Sequence, residues 1–320
     1  MNAFHILTYR RTTRMLVVTS HNGLPGIEKA MQVLREGGTA LDAVEAGIHL
    51  VELNEQDEGV GVGGLPNILG QVELDASIMD GRTLAAGAVG AVQGYAHPIS
   101  IARRVMELTP HVILVGEGAN RFAAEMGFTR CHLPIERARE KWQERLRAFI
   151  PETEIAALAE RKELLPLVKE LINMRLRQGT VNFLARDRYG NIACGVSTSG
   201  WPWKYPGRLG DSPIIGAGNY ADNRYGAAAC THHGESAIRA GTARSVVLYM
   251  KMGMSVEEAC YEAMRDLQPI LASSGGTMSI VAMDRDGNPF GITSKAGGEH
   301  YLVMTEDSPA PEVRESVLYQ

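Results

Sequence analysis

A threonine that follows a glycine, at Gly179-Thr180, has the surroundings that nucleophilic chemistry would need. A threonine hydroxyl is a weak nucleophile at neutral pH unless a base lies beside it. Cleavage of the chain before the threonine would supply that base, because the new α-amino group has a pKa of about 7.7–8.0. A glycine before the cleaved bond favours this, since a residue without a Cβ adopts strained conformations at low cost. We therefore interpret Thr180 as a candidate N-terminal nucleophile.

A candidate binding site for an amino acid lies further along the chain, in the turn that contains Arg208 and Asp211. The guanidinium fork of an arginine matches a carboxylate, and an aspartate matches an ammonium group. The pair could bind the two charged groups of an amino acid, or it could form a structural ion pair within the turn. Trp201 and Trp203 precede the turn and could either form a wall of the pocket or pack in the core.

Thr231 and His232 are candidates for stabilising a negative charge on oxygen. We predict that their segment begins a helix, where unsatisfied N–H groups and positive potential are available. Together with the Thr231 hydroxyl, such groups could stabilise an oxyanion. The neighbouring His233 does not complete a metal site, because adjacent histidines seldom face one ion and no third ligand follows at a suitable spacing.

The elements that must position these residues alternate between strands and helices. Val181, Phe183 and Ala185 occupy every second position, which predicts a buried strand opened by Thr180. A hairpin, helices and a second hairpin follow, and a helical pair also lies in the first half. This order predicts an α/β (α+β) fold in which helices cover the outer faces of two sheets. The expected architecture is a four-layer αββα sandwich that forms one structural domain.

Residues 129–179 differ from the rest in their charge pattern. Acidic and basic residues alternate over 136–147 and again over 161–177. Alternating charges are typical of a solvated helix face. We therefore predict that residues 129–179 form an exposed linker to the scissile bond.

The glycine-rich run at 59–64 suggests phosphate or nucleotide binding as a competing hypothesis. It lacks the Gly-Lys-Ser/Thr ending of a P-loop, and it follows a helix, whereas a dinucleotide-binding motif follows a strand. We therefore interpret it as a tight loop close to a site.

The composition restricts the classes of partner. Among 320 residues, 45% are hydrophobic and 22% are charged, as in ordinary globular proteins. A net charge of −5 argues against binding to nucleic acid or to an anionic membrane surface. The sequence shows neither an apolar run of membrane-spanning length nor a signal-peptide pattern. Four scattered cysteines indicate neither a zinc site nor a disulfide framework, so we expect a cytoplasmic protein without metal or cofactor.

The motifs together resemble those of the N-terminal-nucleophile (Ntn) hydrolases of the glycosylasparaginase and plant-type asparaginase family, nearest to the glycosylasparaginase branch. The resemblance covers most of the chain and fails mainly over 129–178 and at both termini. The matching segments are 37–44, 61–66, 74–81, 110–117, Gly179-Thr180-Val181, Ser197-Thr198-Ser199-Gly200, 207–223 and 231–235.

This resemblance implies self-cleavage between Gly179 and Thr180 into an α subunit of 1–179 and a β subunit of 180–320, assembled as a dimer of such pairs, (αβ)2. It implies that Thr180 attacks the side-chain amide of an asparagine derivative and forms a β-aspartyl ester, which water hydrolyses. The other implied roles are support of the nucleophile by Thr198, stabilisation of the oxyanion by Thr231 and the backbone N–H of His232, and binding of the substrate's α-carboxylate and α-amino groups by Arg208 and Asp211.

Three departures from the family pattern leave the substrate open. His232 stands where the family usually has glycine, Gly179 where glycosylasparaginases typically have aspartate, and residues 19–23 lack the tryptophan of their pocket rim. The favoured substrate resembles N4-(β-N-acetylglucosaminyl)-L-asparagine, and L-asparagine or a β-aspartyl (isoaspartyl) peptide is the alternative. A further alternative is an uncleaved, catalytically silent member that binds an amino acid, for which His232 is the main support.

Overall fold

The computed structural model describes residues 13–172 and 179–319. The strands of the described ranges form two sheets. In chain order they are β1 (Leu16–Ser20), β2 (Leu74–Asp80), β3 (Ala86–Val92), β4 (Ile113–Val115), β5 (Val181–Arg186), β6 (Ile192–Thr198), β7 (Asn219–Asp222), β8 (Gly226–His232), β9 (Met278–Asp284), β10 (Pro289–Thr293), β11 (His300–Thr305), β12 (Glu312–Glu315) and β13 (Val317–Leu318).

Helices follow the first strand, fill the middle of the chain and lie between β8 and β9 in the second half; the predicted order of hairpin, helices and hairpin lacks the additional hairpin of β7 and β8. In chain order they are α1 (Leu24–Arg35), α2 (Ala40–Glu52), α3 (Pro98–Leu108), α4 (Gly116–Glu125), α5 (Glu136–Arg147), α6 (Glu152–Ala156), α7 (Leu165–Ile172), α8 (Gly234–Ala240), α9 (Thr242–Lys251) and α10 (Val256–Ser274).

The strands form an eight-stranded sheet in the order β12-β11-β1-β5-β6-β2-β3-β4 and a five-stranded sheet in the order β13-β10-β9-β8-β7. Strand β5 lies inside the larger sheet, between the antiparallel neighbours β1 and β6. The residue before it, Thr180, is therefore held at the end of a central strand. This is the position predicted from the alternation of apolar residues.

Three layers of apolar side chains hold the sheets and helices together. Helices α1 to α3 cover the outer face of the larger sheet, and α9 and α10 cover the smaller one. The third layer lies between the two sheets. On β5, Phe183 packs towards the helices and Leu184 towards the other sheet, as a strand with a period of two requires. The predicted αββα sandwich is confirmed.

The segment predicted to be an exposed linker has a different structure over residues 136–172. Its helices bury Trp142 and Leu167 in an apolar cluster that also contains Trp203. The indole Nε1 of Trp142 donates a hydrogen bond of 3.0 Å to the carbonyl oxygen of Asn67. The alternating charges describe only the outer faces of these helices, whereas apolar residues at helical spacing form the inner faces. This part of the chain is therefore packed against the body, and residues 173–178 lie outside the described ranges.

Candidate active site

A cavity of about 770 Å³ lies beside the predicted cleavage site. Gly179 and Thr180 line it, and so do Thr231, His232 and Trp201. The fold thus brings the candidate nucleophile and the candidate oxyanion-binding residues to one cavity. Trp201 forms part of its wall, whereas Trp203 packs in the apolar cluster of α5 to α7.

The hydroxyls of Thr180 and Thr198 are hydrogen-bonded to each other. Thr180 Oγ1 donates to Thr198 Oγ1 at 3.2 Å. The same Thr198 oxygen lies 3.0 Å from the carbonyl oxygen of Gly179 and accepts a hydrogen bond of 2.9 Å from the N–H of Gly200. Thr198 therefore contacts both the candidate nucleophile and the carbonyl group that it would attack.

The glycine-rich loop lies directly against the residue before the scissile bond. A Cβ built on Gly179 would be 3.0 Å from the Cα of Gly59, and a Cβ built on Gly59 would overlap the backbone of Gly179. The carbonyl oxygen of Gly59 accepts hydrogen bonds from Ser199 N–H at 2.7 Å and from Thr198 Oγ1 at 3.2 Å. Only residues without side chains allow this approach, which is the physical reason for glycine in a tight loop next to the site.

Arg208 forms its ion pair with Glu235 of α8, and the alternative of a structural ion pair with Asp211 within the turn is not observed. Its Nε lies 2.9 Å from Glu235 Oε1, and its Nη2 lies 2.8 Å from Oε2. The guanidinium also stacks on Trp201, with 4.3 Å between Cζ and the ring centroid. These contacts orient the fork and leave Nη1 for another partner.

Asp211 is a buried carboxylate with one oxygen, Oδ2, that has no hydrogen-bond partner in the described residues. Burial raises the pKa of Asp211 to about 7, and the nearby Arg208 only partly offsets this. A buried carboxylate without a cation is well suited to accept an ammonium group. Neither Arg208 nor Asp211 lines the cavity itself in the described chain. Arg208 stacks on Trp201, which does line the cavity, and Asp211 lies next to Gly234.

We expect substrate binding to weaken as the pH falls below about 7, because a protonated Asp211 does not attract an α-ammonium group. Burial raises the pKa in the folded protein, so the native state binds more protons than the unfolded state between the two pKa values. The free energy of unfolding therefore decreases as the pH rises through that interval. The measurement is the dissociation constant of L-aspartate against pH for the natural chain and for Asp211→Asn, which should bind weakly and should lack this titration. Binding is measured and not kcat/KM, because the α-amino group of Thr180 titrates in the same range and would give turnover an acidic limb of its own. The same pH dependence of binding in Asp211→Asn would contradict the assignment.

Thr231 and His232 end strand β8, and α8 begins only at Gly234, so the prediction that they begin a helix is wrong. The oxyanion donors would come from a strand end. The N–H of Cys230 donates to Gly218 at 2.8 Å, on the β7 side. Amides two residues apart in a strand point the same way. The N–H of His232 therefore points to the same side of β8 as strand β7, but past Asn219, where β7 begins.

The backbone of His232 keeps the conformation of a glycine, with φ of 90°. For other residues such a conformation costs about 1–3 kcal/mol and persists only where surrounding contacts hold it. Here the imidazole Nε2 lies 3.0 Å from Oε2 of Glu299, and Lys295 binds the same oxygen. Burial would raise the pKa of Glu299, but the hydrogen bonds from His232 and Lys295 outweigh it and lower the pKa to about 2. These contacts hold His232 in this conformation.

We expect His232→Gly to be more stable than His232→Ala by about 1–2 kcal/mol, because only alanine keeps the strain of a positive φ. Both variants lose the imidazole and its contact with Glu299, so their difference isolates the backbone term. The measurement is denaturant unfolding of both variants in a Thr180→Ala background, where self-cleavage does not interfere. Equal free energies of unfolding would contradict the strain argument.

The chain is similar in sequence to a family of hydrolases. A family model described as asparaginase matches residues 12–308 of the chain. The chain belongs to the asparaginase family. An N(4)-(beta-N-acetylglucosaminyl)-L-asparaginase of Elizabethkingia miricola is 38% identical over 85% of this chain and 75% of its own length. An isoaspartyl peptidase/L-asparaginase of Mus musculus is 39% identical over 78% of this chain and 72% of its own. A plant-type L-asparaginase of Pyrococcus furiosus is 39% identical over 86% of both chains.

The structure adds residues to this asparaginase-family site that the sequence did not single out. Glu235 lies inside a matched motif, but its pairing with Arg208 depends on where α8 packs. Asn22 and Asp57 come from two loops that meet at the cavity. The periodicity of apolar residues does not reveal such positions. In the sequence, Asp57 is marked only by its position just before the glycine-rich run at 59–64.

Within residues 13–172 and 179–319, no group of three or more His, Cys, Asp or Glu side chains is arranged to hold a metal ion. Among the helices in these ranges, none combines the length and apolar character needed to cross a membrane.

Proposed function

We propose that this protein is a self-cleaving Ntn amidohydrolase that hydrolyses the side-chain amide of asparagine derivatives. The observation that carries the proposal is the hydrogen bond of 3.2 Å between Thr180 and Thr198, with Thr198 also 3.0 Å from the Gly179 carbonyl oxygen. A threonine held beside the preceding carbonyl, in a cavity of an asparaginase-family chain, is the arrangement that release of an N-terminal nucleophile requires.

In the first stage, the Thr180 hydroxyl oxygen attacks the carbonyl carbon of Gly179. The Gly179–Thr180 peptide bond breaks, the nitrogen of Thr180 takes up a proton and becomes the α-amino group, and an ester links the two residues. Water then hydrolyses the ester, which frees a carboxylate on Gly179 and the hydroxyl of Thr180. Thr198, with its oxygen in contact with both groups, orients the hydroxyl for this attack.

In the second stage, the free α-amino group of Thr180 accepts the hydroxyl proton as the oxygen attacks the side-chain amide carbon of the substrate. The Thr231 hydroxyl and the N–H of His232 stabilise the negative charge on the amide oxygen. The proton passes to the departing amine, and a β-aspartyl ester remains on Thr180. Water hydrolyses this ester to give aspartate and the free enzyme.

Arg208 and Asp211 would hold the amino-acid part of the substrate. Glu235 occupies Nε and Nη2 of Arg208, so Nη1 is the group that would meet the α-carboxylate. The buried Oδ2 of Asp211 lacks a partner in the described residues and would accept the α-ammonium group. Two opposite charges at one end of the substrate would select L-asparagine derivatives and place their side chain towards Thr180.

The leaving group would be a glycosylamine, as the name of the Elizabethkingia relative indicates for that protein. Ammonia or a peptide amine is the second candidate, because the Mus musculus relative is named isoaspartyl peptidase/L-asparaginase at nearly the same identity. We further propose a homodimer of the precursor, (αβ)2 after cleavage, in the cytoplasm. Light scattering of the purified protein would measure the assembly.

The experiment that tests the function is intact mass under denaturing conditions, followed by N-terminal sequencing and a substrate panel. We expect two fragments in place of the 34.7 kDa chain, one of which begins Thr180-Val181-Asn182. The panel compares kcat/KM for a glycosylasparagine, L-asparagine and a β-aspartyl dipeptide. A single 34.7 kDa species that hydrolyses none of them would favour the silent, amino-acid-binding alternative.

A further inference from the structure

Asp57 lies at the junction between the glycine-rich loop and the scissile residue. A Cβ built on Gly179 would be 2.9 Å from its Oδ1, so the carboxylate packs directly against the residue whose carbonyl is attacked. The same oxygen accepts a hydrogen bond of 2.9 Å from the N–H of Gly59. Gly59 in turn contacts Thr198 through its carbonyl oxygen, at 3.2 Å. The carboxylate therefore contacts Gly179 and is connected through Gly59 to Thr198, which is hydrogen-bonded to the Thr180 hydroxyl.

The other oxygen of Asp57 is held by Asn22, which lies in a short 3₁₀ turn, His21–Gly23. Asn22 Nδ2 donates to Oδ2 at 2.9 Å, and Ser20 Oγ donates to the Asn22 amide oxygen at 2.8 Å. Ser20 Oγ also lies 3.4 Å from the carbonyl oxygen of Thr180. A continuous set of polar contacts thus runs from Thr180 through Ser20 and Asn22 to Asp57, which itself packs against Gly179.

Asp57 differs in its charge environment from Glu299, the other acidic residue lining the cavity in the described chain. Glu299 is paired with Lys295 and His232, whereas Asp57 has no ion-pair partner in the described ranges. Burial raises the pKa of Asp57, and Glu58 beside it acts in the same direction. The neighbouring 3₁₀ turn contributes His21 to the same cavity, and Lys141 and Arg145 of α5 are engaged by Glu58.

We propose that Asp57 is a positioning residue for self-cleavage, which in its ionised form holds Gly179 against Thr180 and Thr198. This inference rests on the proposed function. An ionised carboxylate accepts hydrogen bonds on both oxygens, from Asn22 and from Gly59, and so fixes the loop against Gly179. Protonation removes acceptor capacity at one of these contacts and loosens the loop.

The test is the rate of precursor cleavage in Asp57→Asn. The full chain is made by cell-free synthesis, synthesis is stopped, and the intact fraction is followed by mass spectrometry between about pH 4 and pH 8. We expect cleavage about 10- to 100-fold slower than in the natural chain, since a hydrogen bond to a charged group is lost and two amide donors face each other. The natural chain should slow at acid pH, and Asp57→Asn should lose that dependence.

Two further variants separate positioning from a general effect on folding. The exchange Asn22→Asp with Asp57→Asn restores the donor and acceptor in reversed order and should recover most of the cleavage rate. Glu58→Gln is the matched control, because the neighbouring carboxylate contacts α5 and not Gly179; its rate should stay within about twofold. Thermal unfolding of each variant verifies that it folds.

The outcomes distinguish this inference from the proposed function. A natural chain that cleaves, together with an equally fast Asp57→Asn, would overturn the role of Asp57 alone. An exchange variant that folds but is as slow as Asp57→Asn would overturn it as well. A folded natural chain that never cleaves would overturn both proposals.

Discussion

Thr180→Ala is expected to remain a single 34.7 kDa chain and to lose hydrolysis of every asparagine derivative. Alanine removes the oxygen that attacks Gly179 in cleavage and the substrate amide in catalysis. Without cleavage the α-amino group of residue 180 also stays in a peptide bond, so nucleophile and base are lost together. We expect kcat to fall by at least about four orders of magnitude, as when the nucleophile of a covalent hydrolase is removed. Intact mass and kcat on the best substrate of the panel measure both effects.

Thr180→Ser is the matched control for this experiment, because it keeps a hydroxyl and removes only a methyl group. It should still cleave itself and retain measurable hydrolysis. The hydrogen bond to Thr198 remains available to serine, so the orientation of the oxygen is preserved. Cleavage or hydrolysis in Thr180→Ala at the natural rate would disprove the assignment of the nucleophile.

Arg208→Ala is expected to reduce kcat/KM by about two to three orders of magnitude, mainly through KM. The substitution removes the guanidinium proposed to bind the α-carboxylate, and it also leaves Glu235 without its ion-pair partner. Self-cleavage needs no substrate, so the fragments should form as in the natural chain. Steady-state kinetics and intact mass on the same preparation measure the two effects separately.

Two variants control for the contacts of Arg208 itself. Arg208→Lys keeps the positive charge but loses the planar fork, so it should recover only part of the lost kcat/KM. Glu235→Gln keeps the guanidinium stacked on Trp201 and tests whether the ion pair merely orients it. If Arg208→Ala also failed to cleave itself, the arginine would have a structural role and the binding assignment would be wrong.

Short-range patterns were sufficient to predict the architecture and the nucleophile region. Apolar residues at every second position of β5 determine which faces it buries, and a glycine before a threonine has a local chemical meaning. The predicted sandwich and the central strand therefore agree with the structure. The strand pairing that brings Thr198 to Thr180 also follows from a hairpin, because β5 and β6 are consecutive and antiparallel.

Charge alternation misled where it was interpreted without the apolar residues between the charges. Glu140 and Glu144 of α5 are exposed, as a solvated face requires. Trp142, halfway between them in sequence, lies on the opposite side of the helix and is buried. A helix can have a charged, solvated face and an apolar, buried face, so alternating charges do not exclude packing against the body.

Residue type and spacing by themselves determined the sandwich, the central strand and the candidate nucleophile, because strand and helix periods are local properties of the chain. The tertiary structure decided the partner of Arg208, the meeting of Asp57 with Gly179 and the positive φ of His232. These features depend on contacts between segments far apart in sequence. The local sequence pattern does not specify which loops meet. Packing of the two sheets and their helices selects which of them do.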